Sequence, residues 1–139
     1  MTPEQIALVQ ATFVQIAPKA DTLADLFYER LFTSDPALRP LFMGDMGEQR
    51  HKLMTVLTVV VPGLDHLDQL LPAIEALGRR HATYGVRNVH YATFCDALLW
   101  TLGQVLGDEF TPAARTAWTI AYATLAGVMW AQAAALGAA

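Results

Sequence analysis

One imidazole is the most suggestive chemical group in this chain. It lies in the stretch ALGRRHATYG, residues 76–85, where Ile74, Leu77 and His81 fall three and four apart and share one helical face. A histidine that closes an apolar stripe is either a buried ring bonded to a carbonyl or a ligand to something buried, and spacing alone favours the first. The other three histidines read as ordinary. His51 sits between Arg50 and Lys52, His66 lies in a polar connector, and His90 opens a helix where it can bond locally.

Most catalytic and metal-binding patterns are missing from the sequence. It contains no HExxH, GxxxxGKS, GxxxxGKT or GxGxxG pattern and no EF-hand loop. Cys95, the one cysteine, stands in the apolar stretch TFCDALLW and reads as core rather than nucleophile. No Ser-His-Asp set assembles. An ordinary metal site needs three or four protein ligands, and His81 has no second histidine in ligand register. A porphyrin changes that count, because it gives iron four nitrogens of its own. One neutral imidazole then suffices, and the opposite position stays open to a gas.

Such a pocket needs an apolar wall with few hydrogen-bond donors. The stretch 48–61 offers one, since Gln49, Leu53, Val56 and Val60 form a stripe with a single amide at its start. Tyr28 shares a face with Ala24, Leu31 and Phe32, where its ring can bury while its hydroxyl needs a partner. Taken singly, Gln49 reads equally as a helix-start residue facing water, and Tyr28 as a core tyrosine.

These residues need helices to hold them, and the pattern is helical almost throughout. TPEQ at 2–5 is a capping box with Pro3 at the first helical position, opening a helix that carries Ile6, Val9, Phe13 and Ile16 and stops near Pro18. A second helix is predicted from about Asp21 to Phe32. A short one starts at Asp35-Pro36 and is shortened by Pro40. A loop at 43–47 precedes a helix over 48–61. LDHLDQLLP reads as a connector, followed by a helix from about Pro72 to His81 and a corner at 83–89 around Gly85. A long helix covers 90–106, Gly107-Asp108 breaks it, and Thr111-Pro112 caps a last helix that runs to about Leu136. Six to eight helices of unequal length predict an irregular all-α fold rather than a four-helix bundle.

Composition narrows the classes further. A length of 139 residues suits one domain, residues 1–139. The net charge is −4 and the nine basic residues are scattered, which argues against a nucleic-acid partner. A single cysteine points to a reducing compartment, hence a cytoplasmic protein. The opening MTPEQIALVQ lacks the basic and long apolar segments of a signal peptide. Residues 116–139 carry no charge and are long enough to span a bilayer. They are alanine-rich, however, with Thr116, Thr119, Thr124 and Gln132 interspersed. Their large residues Trp118, Tyr122, Leu125, Met129 and Leu136 form one stripe, so a buried helix is expected and no membrane partner. The alanine-rich surface could also serve as a homodimer face.

Several segments in order resemble the globins, specifically the bacterial single-domain haemoglobins and the globin domain of flavohaemoglobins. LFYERLFTSDPALRPLF at 26–42 is similar to that family's second helix and following corner. KLMTVL at 52–57 is similar to its distal helix, LGRRHATYGV at 77–86 and HYATF at 90–94 to its proximal segment, and AWTIAYATLAGVM at 117–129 to its last helix. The resemblance implies a globin fold enclosing a pocket for haem b (iron protoporphyrin IX), with His81 as the iron ligand. It implies Phe42 as the ring that wedges the haem, and Tyr28, Gln49 and Leu53 as the distal residues facing a bound gas. Leu57, Leu77, Val86 and Tyr122 match pocket-lining positions, and Tyr91 matches a tyrosine that helps hold the proximal histidine. Arg80 reads as a partner for a haem propionate or, equally, as a solvated helix-end charge.

The resemblance implies O2, NO and CO as ligands and reversible oxygen binding as the function. The alternatives are a nitric-oxide dioxygenase served by a separate reductase, a gas or redox sensor, and a haem-free helical interaction module. Two departures from the family pattern bear on the enzyme. Flavohaemoglobins carry a glutamate on the last helix that pairs with the proximal histidine and the tyrosine matched by Tyr91. Ala133 aligns there, with Gln132 beside it, and no carboxylate follows Glu109. A neutral partner pushes less electron density toward iron through the histidine. Phe94 also stands at a pocket position usually held by a smaller aliphatic, which would narrow the distal cavity. The chain has no room for an FAD- and NADH-binding reductase domain.

Overall fold

Thr2 starts the first helix as its spacing predicts. Its hydroxyl accepts from the Gln5 N–H at 3.1 Å while the Gln5 side-chain oxygen accepts from the Thr2 N–H at 2.9 Å, which opens α1 (Pro3–Ile16). The computed structural model describes residues 1–42 and 44–135. Met43, in the expected 43–47 loop, and Leu136, in the expected last-helix stripe, lie outside them. A 3-10 turn at Ala17–Lys19, containing Pro18, leads into α2 (Ala20–Ser34). The Asp35 carboxylate accepts from the Ala37 N–H at 3.1 Å and opens a 3-10 turn over Pro36–Leu41.

α3 (Met46–Val60) begins two residues before the predicted Glu48, and Asp45 at its N-cap position makes no side-chain cap bond. After a 3-10 turn at Leu64–His66 comes α4 (Leu67–Thr83). Here the sequence reading needs correction, because most of the expected connector LDHLDQLLP is helical and Pro72 lies inside the helix rather than at its start. The proline forfeits the backbone bond to the Asp68 carbonyl. Leu67 and Leu70 pack against the core in return, and full burial of a leucine is worth about 1.5–3 kcal/mol. α5 (Asn88–Leu106) also starts two residues earlier than expected and ends at Gly107, whose φ of +57° favours glycine. The Thr111 hydroxyl accepts from the Ala114 N–H at 3.1 Å and starts α6 (Pro112–Ala135).

Among the described residues there is no strand, and no helix is long and apolar enough to cross a membrane. The fold is all-α, with six α-helices and four 3-10 turns among those residues. α5 packs chiefly on α2, and α6 on α1 and α4. The core runs from Val9, Phe13 and Ile16 through Leu23 and Leu31 to Leu98, Leu102 and Trp118. Its buried Trp118 and Thr12 side chains are paired. The Trp118 indole N–H donates to the Thr12 hydroxyl at 2.8 Å, and Thr12 donates to the Leu8 carbonyl at 2.7 Å.

One glycine sets how closely α4 and α6 approach. A Cβ built on Gly78 would lie 2.6 Å from the Met129 Cα and 2.7 Å from its carbonyl oxygen. Both obstacles are backbone, so relief requires the helices to part. Gly78→Ala gains up to about 1 kcal/mol of helix propensity but forces an overpacked contact costing about 1–3 kcal/mol. Net destabilisation is expected, seen as a fall of several degrees in the thermal unfolding midpoint. A raised midpoint would mean that the two helices separate easily at this point.

Candidate functional site

The apolar stripe of α4 presents Ile74, Leu77, Gly78 and His81 toward the interior. Ile74 and Gly78 are buried, and Leu77 and His81 are half-buried. The imidazole of His81 lies 2.9 Å from the Leu77 carbonyl oxygen through Nδ1. A carbonyl only accepts, so Nδ1 carries the proton and Nε2 keeps its lone pair. Burial holds the His81 imidazole below its ordinary pKa, against the pull of the Leu77 carbonyl, and the Arg80 charge lowers it further. The ring is therefore a neutral imidazole in the tautomer that a metal ligand requires.

The other histidines lie where the sequence put them. His51 and His66 are exposed, with His66 Nε2 3.7 Å from the Asp65 carboxylate. His90 accepts from the Arg87 N–H through Nδ1 at 2.9 Å. Among the described residues no group of three or more His, Cys, Asp or Glu could hold a metal ion. Cys95 is half-buried, and burial pushes its thiol up, away from the thiolate a nucleophile needs.

A line of aromatic rings joins α2 to α5. Tyr28 meets Phe42 at 5.4 Å between centroids, Phe42 meets Phe94 at 6.1 Å, and Phe94 meets Tyr91 at 6.2 Å, all near edge-to-face. Phe94 thus links Phe42 to Tyr91. Leu53 and Leu57 from α3, Leu77 from α4 and Tyr122 from α6 are half-buried against this core, and Val86 is buried in it. The Tyr28 hydroxyl donates to the Gln49 backbone carbonyl at 3.2 Å. Burial raises its pKa to about 12, with Arg50 pulling the other way, so the phenol stays protonated at ordinary pH. Arg80 is exposed at the end of α4.

The last helix contributes one tyrosine contact and one gap. The Tyr122 hydroxyl donates to the Tyr91 carbonyl at 2.7 Å. The Tyr91 hydroxyl is buried and has no hydrogen-bond partner among the described residues. Ala133 is 2% exposed and offers no acceptor. Gln132, its neighbour, is engaged elsewhere, because it accepts from Arg79 and donates to Glu75, both at 3.1 Å, and so ties α6 to α4.

Sequence reasoning overlooked two features of this region. Gly78 was detectable, since a glycine inside an apolar helical stripe signals a close approach. The ion pair between Arg50 Nε and the Asp25 carboxylate, at 3.1 Å, left no signal, because its partners are 25 residues apart in sequence on different helices.

Residues 25–129 match the family model of the globins. The chain belongs to the globin family. This globin is 33% identical over 132 residues to the flavohemoprotein of Bordetella parapertussis, a match covering 93% of this chain and 33% of that protein. It is 29% identical over 131 residues to the flavohemoprotein of Vibrio cholerae, covering 92% and 33% respectively. The chain thus spans about a third of the length of the curated relatives it matches. Among solved structures, an engineered carbene transferase built on a candidate nitric oxide dioxygenase from Rhodothermus marinus superposes with a TM-score of 0.90 at 27% identity. That match covers 99% of this chain and 96% of the other. A bacterial globin from Campylobacter jejuni superposes at 0.83 and 23% identity, covering 98% and 99%, and establishes the shared fold.

Membership of the globins implies a haem cofactor. The residues present fit it in two respects. The one inward imidazole has its Nδ1 proton committed and its Nε2 lone pair available. The stripe Leu53, Val56 and Leu57 on α3 is only half-buried, as suits a wall that a flat apolar guest completes.

Proposed function

We propose that this globin holds haem b through His81 Nε2 and binds dioxygen reversibly, as one domain over residues 1–139 in the cytoplasm. The observation that carries the reading is the bond between His81 Nδ1 and the Leu77 carbonyl, which fixes both the tautomer and the ring plane. When bound, haem would supply a redox-active iron able to take a diatomic gas (O2, NO or CO). The remaining work falls to the chain. Phe42 wedges the porphyrin, and Leu53, Leu57, Leu77, Val86 and Phe94 keep water out. Arg80 meets a propionate carboxylate at the surface. Tyr91 and Tyr122 brace the side on which His81 lies. Tyr28 keeps its proton across ordinary pH and would donate a hydrogen bond to a gas held there, with the Gln49 amide as a second donor.

Purified protein should carry about one haem per chain and show a Soret band. Its reduced form should take up oxygen and release it as the oxygen pressure falls. Colourless protein overturns the reading and leaves a helical interaction module in its place.

A second reading is supported by the relatives' names, namely a nitric oxide dioxygenase that turns O2, NO and one electron into nitrate, with a reductase supplying the electron. The Tyr91 hydroxyl, without a partner among the described residues, and the alanine at 133 weigh against it, since none of those residues sets a carboxylate to strengthen His81 as a donor. Stopped-flow mixing of the oxygenated protein with nitric oxide separates the two readings. Sustained nitrate formation with an added flavin reductase favours the enzyme, whereas a single turnover followed by arrest favours the carrier.

A further inference from the structure

α3 is held very differently at its two ends. Of its 15 residues only Val60, the last, is fully buried. Beyond it Val61 is also buried, and the Gln10 side-chain amide donates to the carbonyls of Val61 and Pro62 at 3.1 and 3.3 Å. The C-terminal end is therefore a fixed pivot. The front half lacks a side-chain cap, packs Met46 and Leu53 only partly against the core, and makes two polar contacts to α2 among those the described residues show. One runs from the Tyr28 hydroxyl to the Gln49 carbonyl at 3.2 Å, and the other is the Arg50–Asp25 ion pair at 3.1 Å.

Between α2 and this front half lies a cleft of about 600 Å3, lined by Ala20, Ala24, Asp25, Gly47, Arg50 and Met54 among others. The small side chains of Ala20, Ala24 and Gly47 hollow it out. Ala24 is 1% exposed and stands one helical turn before Tyr28 on the same face of α2. Met54 adjoins Leu53 on α3. The Ala24 floor of the cleft thus lies on the face of α2 that carries Tyr28, one of the three residues expected to face a gas ligand.

We propose that this cleft is the path by which small gases pass between solvent and the Tyr28 side of the site, and that the Asp25–Arg50 ion pair is the latch holding the front half of α3 closed over it. The path rests on the gas-binding reading given above, whereas the latch is a property of the chain itself. The cleft is far larger than a diatomic guest, which takes about the room of a water molecule, roughly 30 Å3. The near-complete burial of Ala24 means that its floor is shut in the closed form, so passage requires α3 to swing. A partly exposed ion pair suits that duty, because its side chains are 40% and 61% exposed and its attraction is weak and screened by salt. The Arg50 charge also acts on the Tyr28 phenol against the effect of burial, so release of the latch changes the field at the hydroxyl as well.

Asp25→Asn removes the charge and keeps the shape. Hydrogen exchange on the whole protein reads the latch directly, and amides of residues 50–54 should exchange about two- to fivefold faster, with α6 unchanged. Flash photolysis of carbon monoxide from the haem-loaded protein reads the path. Bimolecular association should quicken by a similar factor in Asp25→Asn, and should rise with salt in the wild type but not in the variant. Ala20→Trp fills the mouth from a half-buried position and should slow association severalfold with the absorption spectrum unmoved. Unchanged exchange in Asp25→Asn overturns the latch, and unchanged association in Ala20→Trp overturns the path. Failure to take up haem would bring down the gas-binding reading and the path with it, while the exchange measurement still decides the latch.

Discussion

Replacing His81 with alanine is expected to give a folded, colourless protein. The ring is half-buried and makes one side-chain hydrogen bond, to the carbonyl of its own helix four residues earlier. The fold therefore loses little, while the site loses the nitrogen proposed to hold the cofactor. The remaining histidines cannot substitute. His51 and His66 are exposed, and His90 spends Nδ1 on the Arg87 amide. The haem-to-protein ratio should drop from about one to near zero, with the far-ultraviolet circular dichroism unchanged, and free imidazole should restore part of the Soret band. A His81→Ala protein that holds haem at the wild-type ratio would move the iron ligand elsewhere.

The second large effect is expected at Tyr28. A charge-assisted hydrogen bond to bound oxygen is worth about 1.5–3 kcal/mol, or roughly ten- to hundredfold in affinity. The hydroxyl is not idle without a guest, since it donates to the Gln49 carbonyl at 3.2 Å. Turning toward a ligand gives up that neutral bond, worth about 0.5–1.5 kcal/mol. The net gain is then nearer tenfold than hundredfold. Tyr28→Phe should speed oxygen dissociation by about that factor and leave carbon monoxide dissociation nearly as it was. Gln49→Leu should do less, because the acceptor used by Tyr28 is the backbone carbonyl and survives the substitution. With the phenol raised to about 12, the Tyr28 contribution should stay flat across neutral and mildly alkaline pH, where the group is always protonated. An oxygen off-rate that does not move in Tyr28→Phe would separate the tyrosine from the ligand.

The local grammar of the chain was readable because local physics decides it. Thr2 with Gln5, Asp35 with Ala37, and Thr111 with Ala114 are bonds between near neighbours, and each helix start they predict is present. The beginning of α4 was not readable, because Pro72 signals a start and only packing of Leu67 and Leu70 against distant core residues overrides it. The same division runs through the site. The spacing of Ile74, Leu77 and His81 was enough to aim the imidazole inward. Its bond to the Leu77 carbonyl belonged to the plainer reading of the same residue, and that bond is also what frees Nε2. Contacts between distant residues were invisible. Gln132, which the sequence set beside the missing carboxylate, turns out to tie Arg79 and Glu75 together on another face.

The two walls of the site differ in stiffness. Behind His81, α4 touches α6 backbone to backbone at Gly78 and Met129, with no side chain between them to give. That wall works as an anvil. A guest of changing bulk is met by yielding on the opposite wall. Anyone reshaping this cavity for larger guests should therefore spend substitutions on α3, the wall proposed to swing, and leave position 78 alone, where a single added methyl must push two helices apart.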